Sequence, residues 1–312
     1  AGFRPKRGDL LDVDGKIIEA GVGPLPKISI DGKVACGQTI IKRDAIVEFS
    51  PPEDRTENTA TTIDDIINVT EVFGRGEYTI VKKIGAPGKK EVVRGVTSGK
   101  IVSAKNSTES QPTIVTRSDK RPEKVVALTF DDGPHPLFTS QVVAILRDMY
   151  ASATFFMIGE KAENHPDIVS EVHTGGFQIG NHSYTHASLD QLTEEQIVQE
   201  LDKGRNAVFP ITQTEPSWLR PPYGAMSPLL DTIASQKNYR LVRWNIDSRD
   251  WEAAGPEQII NTIAGAVEPD SIILLHDGGG NRTNTVLALP GIIQALRNEN
   301  YAFVTLDQLN KN

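Results

Sequence analysis

The chain has 312 residues, more than a single domain usually holds, and the composition of a globular protein, with 38% hydrophobic and 24% charged residues. Its formal charge of -8 is uneven, because residues 1–118 carry 18 basic and 16 acidic side chains, whereas residues 119–312 carry 15 and 25. The acidic C-terminal part would repel polyanions, so we expect no nucleic-acid partner. The single cysteine, Cys36, excludes an intrachain disulfide, and no apolar run reaches the roughly 20 residues that span a bilayer.

Residues 1–118 predict a small all-β domain and a linker. Short β-branched runs between Gly and Pro residues predict strands at Lys27–Ile30, Ala45–Phe49, Tyr78–Lys82 and Glu91–Arg94. Residues 88–102 weakly resemble the G5 modules of bacterial surface proteins, which would imply glycan adhesion, although a structural spacer is the preferred interpretation. The polar stretch Ser107–Lys124, which contains Pro112 and Pro122, predicts the linker.

Residues 119–312 alternate between apolar runs and segments with helical periodicity. The runs predict strands at Val125–Phe130, Ala153–Met157, Phe177–Gly180, Tyr239–Ile246, Ser271–Leu275 and Ala302–Leu306. The periodic segments predict helices at Phe138–Tyr150, Asp167–Thr174, Thr193–Phe209, Pro228–Gln236, Pro256–Val267 and Thr285–Asn298. Thr193 with Gln196 is typical of a capping box, and Pro256 suits a first helical turn. The alternation predicts parallel strands joined by right-handed crossovers, in a barrel or a doubly wound sheet.

Unusual polar residues follow several of these strands directly, namely Asp131, Asp132, His182, Asp247 and His276. In a parallel β/α barrel the carboxyl ends of the strands form one face, so these residues would converge there. A second histidine lies four residues after the first, at position 186, about one helical turn away, so both imidazoles could face one ion. Each feature alone also suits a turn or a surface, but their joint order favours a site.

At this point the chain resembles the NodB-type polysaccharide deacetylases of carbohydrate esterase family four. The resemblance covers about residues 122–308 and rests on five motifs: Thr129-Phe-Asp-Asp-Gly-Pro134, His182-Ser-Tyr-Thr-His186, Arg220-Pro-Pro-Tyr-Gly224, Asp247-Ser-Arg-Asp-Trp251 and Leu275-His-Asp277. It implies a distorted (β/α) barrel of about seven repeats, preceded by the small all-β domain, with an open groove for a glycan chain.

The resemblance implies a metal centre and a base. Asp132, His182 and His186 would hold one divalent ion, with Zn²⁺ preferred and Co²⁺, Ni²⁺ or Fe²⁺ as alternatives. Such an ion polarises the amide carbonyl and acidifies a water molecule. Asp131 would accept the proton of that water, and Arg220 would pair with Asp131 and keep it ionised.

The remaining motif residues would complete the reaction. The backbone N–H of Tyr223 would stabilise the tetrahedral oxyanion. His276 would give a proton to the departing amine, and Asp250 would raise the pKa of His276. Trp251 and Leu275 would wall a small apolar pocket for the acetyl methyl group, although simple barrel packing is the alternative for both.

These roles predict an enzyme that removes N-acetyl groups from an N-acetylglucosamine polysaccharide. Peptidoglycan is preferred, because the added β domain suits a wall-associated arrangement, and the resemblance implies an extracellular or cell-wall location and an acetylated glycan as partner. A chitin-oligosaccharide deacetylase and an O-acetyl xylan esterase remain open, as does a wall-binding protein without catalysis. We expect a monomer.

Two other enzyme classes use similar residues. Two histidines and a carboxylate also form the iron site of non-haem oxygenases, but that site leaves Asp131 and His276 unexplained. A glycosidase would need two carboxylates across the scissile bond. Asp131 and Asp132 are adjacent in sequence, and we expect them to point in different directions.

Overall fold

A computed structural model describes residues 7–35, 44–252 and 254–310, so that Cys36 lies outside the described residues. The chain forms two compact units, one within residues 1–71 and 83–114 and the other within residues 72–82 and 115–312. The second unit therefore contains a segment from the first third of the chain. The domain boundary at residue 118 stays a prediction.

The first unit is built from β-strands. Its strands are β1 (Leu10–Leu11), β2 (Ile17–Glu19), β3 (Ile28–Ile30), β4 (Lys33–Val34), β5 (Val47–Phe49), β6 (Arg55–Thr56), β7 (Thr59–Ile66), β10 (Gly88–Gly95) and β11 (Ile101–Thr108). They form three-stranded sheets in the orders β2-β1-β6, β4-β3-β5 and β11-β10-β7. The expectation of an all-β N-terminal region is confirmed.

Strands also occupy part of the predicted linker. Three strands, β8 (Thr70–Gly74), β9 (Tyr78–Lys83) and β12 (Thr113–Ser118), form a sheet in the order β8-β12-β9. Strand β12 lies inside the stretch that its polar residues and prolines had marked as a linker. Its alternation of buried and partly buried residues, from Thr113 onwards, is typical of a strand with one covered face.

The second unit contains a largely parallel sheet. Its strands are β13 (Val125–Gly133), β14 (Ala153–Met157), β15 (Gln178–Asn181), β16 (Trp218–Leu219), β17 (Arg240–Leu241), β18 (Ile246–Asp247), β19 (Ser271–His276) and β20 (Ala302–Phe303). The order is β17-β16-β15-β14-β13-β19-β18, with β20 paired to the start of β13. The path of seven strands is open between β17 and β18, which matches the predicted distorted barrel. The first six residues of β13 are buried and, apart from Thr129, apolar, as expected where a parallel sheet is covered on both faces.

Helices cover this sheet. They are α1 (Phe138–Asp148), α2 (Gly159–Asn164), α3 (Pro166–Thr174), α4 (Glu194–Thr212), α5 (Pro228–Gln236), α6 (Pro256–Ala264), α7 (Thr283–Asn298) and α8 (Leu306–Leu309). The predicted capping box is confirmed, because the Thr193 side chain accepts from the Gln196 N–H and the Gln196 side chain accepts from the Thr193 N–H. Pro256 opens α6 as predicted. Among the described residues, no helix has the length and apolar character needed to cross a membrane.

The main hydrophobic core lies between the sheet and the helices, and its largest side chains include Phe130, Phe155 and Met157 from neighbouring strands. The Phe130 and Phe155 rings stack with centroids 5.1 Å apart. Leu275 of β19 and Leu289 of α7 belong to the same cluster. This packing holds the strands in fixed positions, so that the residues at their carboxyl ends are attached to a rigid sheet.

Two predicted strands differ from the structure. The expected strand Tyr239–Ile246 is two short strands that lie at opposite ends of the sheet path, because the chain between them crosses the gap in the barrel. The expected strand Ala302–Leu306 ends at Phe303, and Thr305 instead caps α8 through a capping box with Gln308. In both cases an apolar run resembles one strand in the sequence, but the chain leaves the sheet within the run.

Candidate active site

A bulge at the end of β13 turns two adjacent carboxylates towards one cavity. The pairing of β13 with β14 shifts register between Asp131 and Gly133, and Asp132 has a left-handed φ of 70°. Successive side chains of a regular strand point to opposite faces, but a bulge redirects one of them. Both Asp131 and Asp132 therefore line the same cavity. The expectation that they point in different directions is wrong.

The two motif histidines meet through a loop and not through a helical turn. Residues 182–188 have no helical structure, and both Ser183 and His186 have left-handed φ angles. His182 Nδ1 donates to the carbonyl oxygen of Arg220 at 2.7 Å, which leaves Nε2 of this ring as a free ligand atom. His186 Nδ1 lies 3.2 Å from the hydroxyl oxygen of Tyr223, so Nε2 of this ring is available in the same way.

The described residues contain one group of side chains with the geometry of a metal site, namely Asp132, His182 and His186, whose ligand atoms lie within 4.8 Å of one another. Asp132 Oδ1 lies 3.4 Å from His182 Nε2 and 3.0 Å from His186 Nε2. The same oxygen is buried without a hydrogen bond, which is costly unless a cation satisfies it. Burial alone would raise the pKa of Asp132, but contacts with the two imidazoles outweigh burial and hold it below its ordinary value.

A buried arginine holds the second carboxylate. Arg220 is 0% exposed, and its Nη1 donates to Asp131 Oδ1 at 2.9 Å and to Thr129 Oγ1 at 2.7 Å. Its guanidinium carbon also lies 4.3 Å from the centroid of the Phe156 ring. The other oxygen of Asp131, Oδ2, lies 3.8 Å from His182 Nε2. Asp131 thus has one oxygen fixed by Arg220 and one beside the metal-ligand group.

A histidine that is held by a buried carboxylate also lines the cavity. His276 Nδ1 lies 2.8 Å from Asp250 Oδ1, and the His276 N–H donates to Asp250 Oδ2 at 2.9 Å. Thr285 Oγ1 donates to the same Oδ2. Burial alone would lower the pKa of His276, but the hydrogen bond and charge of Asp250 outweigh burial and raise it above its ordinary value. A raised pKa increases the fraction of protonated imidazole near neutral pH.

The cavity between these groups has a volume of about 360 Å³. Among its other lining residues are Tyr223, Trp244, Asp247, Trp251, Leu274 and Arg282. Tyr223 and Trp251 are exposed, so their rings are accessible to a ligand in the groove. The cavity is therefore open and partly aromatic, with several polar groups that could orient a ligand.

The structure corrects the assignment of Leu275. This side chain lies in the hydrophobic core, whereas its neighbour Leu274 lines the cavity. The reason is the alternation of a strand, because residues two apart share a face and Leu274 is two residues before His276. Leu275 therefore fits the alternative of barrel packing. The leucine of β19 that faces the cavity is Leu274, which the periodicity of the strand could have identified.

Comparison with known proteins identifies the same family as the five sequence motifs. Residues 118–242 match the family model described as polysaccharide deacetylase. A peptidoglycan-N-acetylglucosamine deacetylase of Bacillus cereus is 38% identical over 204 residues, which cover 64% of this chain and 95% of that protein. This chain belongs to the polysaccharide deacetylase family.

Another related sequence and a solved structure support membership of this family. A chitooligosaccharide deacetylase of Azorhizobium caulinodans is 36% identical over 58% of this chain and 92% of that protein. The crystal structure of a peptidoglycan N-acetylglucosamine deacetylase in complex with a hydroxamate-type benzamide matches with a TM-score of 0.58 and 35% identity, over 61% of this chain and 89% of that chain. The family resemblance drawn from the five motifs is confirmed.

One buried acid of the deacetylase was not assigned a role from sequence. Asp277 is 0% exposed, accepts from Thr139 Oγ1, and packs against Gly133, where a Cβ atom would collide with the carboxyl group. Burial raises the pKa of Asp277 to about 7, and the neighbouring charge of Asp132 acts in the same direction. Asp277 therefore supports the bulged turn as a protonated acid at mildly acidic pH.

The raised pKa of Asp277 predicts a pH-dependent stability. The folded chain retains the proton up to about pH 7, whereas the unfolded chain loses it near 3.8, so this group weakens folding as pH rises between these values. Asp277→Asn removes the titration. In chelator-treated protein, the melting temperature of the variant minus that of the wild type should increase from pH 4 to 7 and then level off.

Scanning calorimetry at several pH values measures this difference. Asp231→Asn, at an exposed position of α5, serves as the matched control and should give a difference that is independent of pH. A pH-independent difference for Asp277→Asn as well would contradict the raised pKa.

Proposed function

We propose that this polysaccharide deacetylase removes N-acetyl groups from N-acetylglucosamine units of peptidoglycan, with one Zn²⁺ ion held by Asp132, His182 and His186. The observation that carries the proposal is the presence in one open cavity of a metal-ligand group, a carboxylate fixed by arginine and an imidazole–carboxylate pair. These three parts are what hydrolysis of an unactivated amide requires, and a wall-binding protein without catalysis would need none of them.

The donor set suits zinc. Two imidazole nitrogens and one carboxylate oxygen leave coordination positions for water and substrate, as in catalytic zinc sites. Co²⁺, Ni²⁺ and Fe²⁺ accept the same donors and are alternatives. When bound, the ion would supply Lewis acidity towards the acetyl carbonyl and the attacking water.

Asp131 is the proposed general base. Its Oδ1 is occupied by Arg220, so Oδ2 is the oxygen available to accept a proton from water. A general base has to lie within hydrogen-bond reach of the proton it removes, and Oδ2 lies 3.8 Å from the nitrogen of a proposed metal ligand, His182.

His276 is the proposed general acid. The amine that leaves the tetrahedral species would be a strongly basic anion unless it receives a proton as the C–N bond breaks. Asp250 binds Nδ1 of the imidazole, so Nε2 is the atom that can deliver this proton. Because an ester has a better leaving group and needs an acid less, the complete pair favours an amide substrate over the O-acetyl groups of xylan.

The other residues around the cavity suit an acetyl group on a sugar. Leu274 supplies apolar surface beside His276, where the methyl group would lie. The backbone N–H of Tyr223, in a left-handed conformation at the cavity edge, is proposed to donate to the oxyanion. The exposed ring of Trp251 would lie beside a sugar.

Peptidoglycan is proposed over chitin oligosaccharides on two grounds. The Bacillus cereus relative named for peptidoglycan N-acetylglucosamine is 38% identical, against 36% for the chitooligosaccharide deacetylase of Azorhizobium caulinodans. The all-β first unit also suits attachment at a cell wall, so we propose an extracellular or wall-associated location. Chitin oligosaccharides remain the second candidate because of that second relative.

Acetate release tests the substrate. Zn²⁺-loaded protein should release acetate from peptidoglycan faster than from N-acetylglucosamine oligomers, and faster from both than from acetylated xylan. Enzymatic acetate quantification measures the three rates, with chelator-treated protein as the control. Preferential release from xylan would contradict N-deacetylation, and release from none of the glycans would contradict the proposed function as a whole.

Two substitutions separate metal binding from proton transfer. Asp131→Asn should lower kcat by a factor of about 10² or more, because it removes the base, while Zn²⁺ content stays near one per chain. His182→Ala should lose both activity and most of the metal, because it removes a ligand. Metal analysis and acetate release check both variants, and full acetate release by Asp131→Asn would refute the assigned base.

The pH profile tests the acid. His276 has to be protonated, so kcat/KM should decrease as pH rises through its pKa, which Asp250 raises. Asp250→Asn removes the negative charge and should move this alkaline limb to lower pH. Asp167→Asn, at an exposed position of α3, is the control and should leave the limb in place. An unshifted limb in Asp250→Asn would argue against the pair.

A further inference from the structure

Arg282 is a buried cation beside the catalytic cavity that none of the proposed steps uses. It is 7% exposed and lies in the loop between β19 and α7. Its Nε donates to the carbonyl oxygen of Gly278 at 2.6 Å, and its Nη2 donates to that of Gly279 at 3.2 Å. Its Nη1 donates to the carbonyl oxygen of Asp250 at 3.4 Å. Among the described residues no carboxylate forms an ion pair with this guanidinium, and its three acceptors are all backbone oxygens.

The loop that Arg282 holds packs directly against a proposed metal ligand. A Cβ atom at Gly278 would collide with the carbonyl oxygen of Asp132, and one at Gly279 would collide with Asp132 Oδ2. Gly279 also has a φ of 71°, a conformation that favours glycine. The loop is thus the back wall of the Asp132 carboxylate, and the hydrogen bonds from Arg282 fix its distance.

The third acceptor of Arg282 is the carbonyl oxygen of Asp250, the residue that orients the proposed acid. Asp250 binds the Nδ1 and N–H of His276 through its side chain, while its carbonyl oxygen accepts from Arg282. One planar guanidinium therefore connects the wall behind Asp132 with the residue that orients the proposed acid. Arginine presents its donors in a rigid fork, and the single flexible ammonium of lysine cannot bind three separated acceptors in this way.

We propose that Arg282 is a positioning residue, which holds the Gly278–Gly279 loop and the Asp250 turn so that the metal carboxylate and the acid keep their separation. The proposal rests on the proposed function of the site. Residues that orient metal ligands typically contribute about 10-fold to 100-fold to metal affinity or activity. Loss of the fork should therefore weaken metal binding and slow turnover, whereas binding of the glycan at the exposed aromatic rings should persist.

Arg282→Met tests this with a side chain of similar length that lacks donors. Its Kd for Zn²⁺, measured by competition with a chromophoric chelator, should rise about 10-fold to 100-fold, and kcat should fall by a similar factor while KM changes by less than about twofold. Arg282→Lys should lie between this variant and the wild type. Arg205→Met is the matched control, because it removes one positive charge from an exposed ion pair with Glu215, and it should leave all three quantities unchanged.

The outcomes separate this role from others. An unchanged Kd and kcat in Arg282→Met would overturn the proposal, and so would a rise in KM alone, which would make Arg282 a substrate-binding residue. Full recovery by Arg282→Lys would overturn the need for a fork, and this variant also provides the test if Arg282→Met does not fold. The Zn²⁺ Kd is measured without substrate, so a wild type that releases no acetate would refute the proposed function and leave this comparison valid.

Discussion

The convergence of one carboxylate and two imidazoles is the constraint on which the rest of the catalytic unit depends. Asp132 Oδ1 is buried without a hydrogen-bond donor and lies within 3.4 Å of a nitrogen of each histidine. A buried charged oxygen without a hydrogen-bond donor is unfavourable unless a cation binds it. The folded chain therefore favours metal binding at this point. The backbone follows from the same requirement, since Asp132, Ser183 and His186 all have left-handed φ angles that place their neighbours around one centre.

Arg220 connects this centre to the proposed base. Its guanidinium holds Asp131, and its backbone carbonyl accepts the Nδ1 proton of His182. A single buried residue therefore orients one group at the end of β13 and another in the loop after β15. Burial lowers the pKa of Arg220, and the charge and hydrogen bond of Asp131 offset part of this effect. His276, the proposed acid, is held separately by Asp250. The cavity thus combines an arginine-bound carboxylate and a carboxylate-bound imidazole, which lie on the paired strands β13 and β19.

Hydrophobic periodicity was sufficient to predict most strands of the sheet and most of its helices, and the motifs at strand ends were sufficient to predict most of the residues that meet in the cavity. Local geometry was harder to predict. The histidine pair suggested a helical turn, but it meets through a loop, because the left-handed conformations that bring the rings together leave no periodic pattern in the sequence. The motif Leu275–Asp277 suggests a cavity role for Leu275, but the alternation of β19 directs Leu275 into the core and Leu274 towards the cavity. The role of Arg282 depends on acceptors that are backbone atoms, which no residue type in a sequence reveals.

X-ray absorption spectroscopy of the Zn²⁺-loaded protein tests the metal group most directly. The account predicts two nitrogen ligands at about 2.0–2.1 Å and a carboxylate oxygen at about 2.0–2.2 Å, with water completing the coordination, and loss of one nitrogen in His186→Ala. A spectrum with fewer than two nitrogen ligands, or one that is unchanged in His186→Ala, would mean that the ion binds elsewhere and would contradict the account.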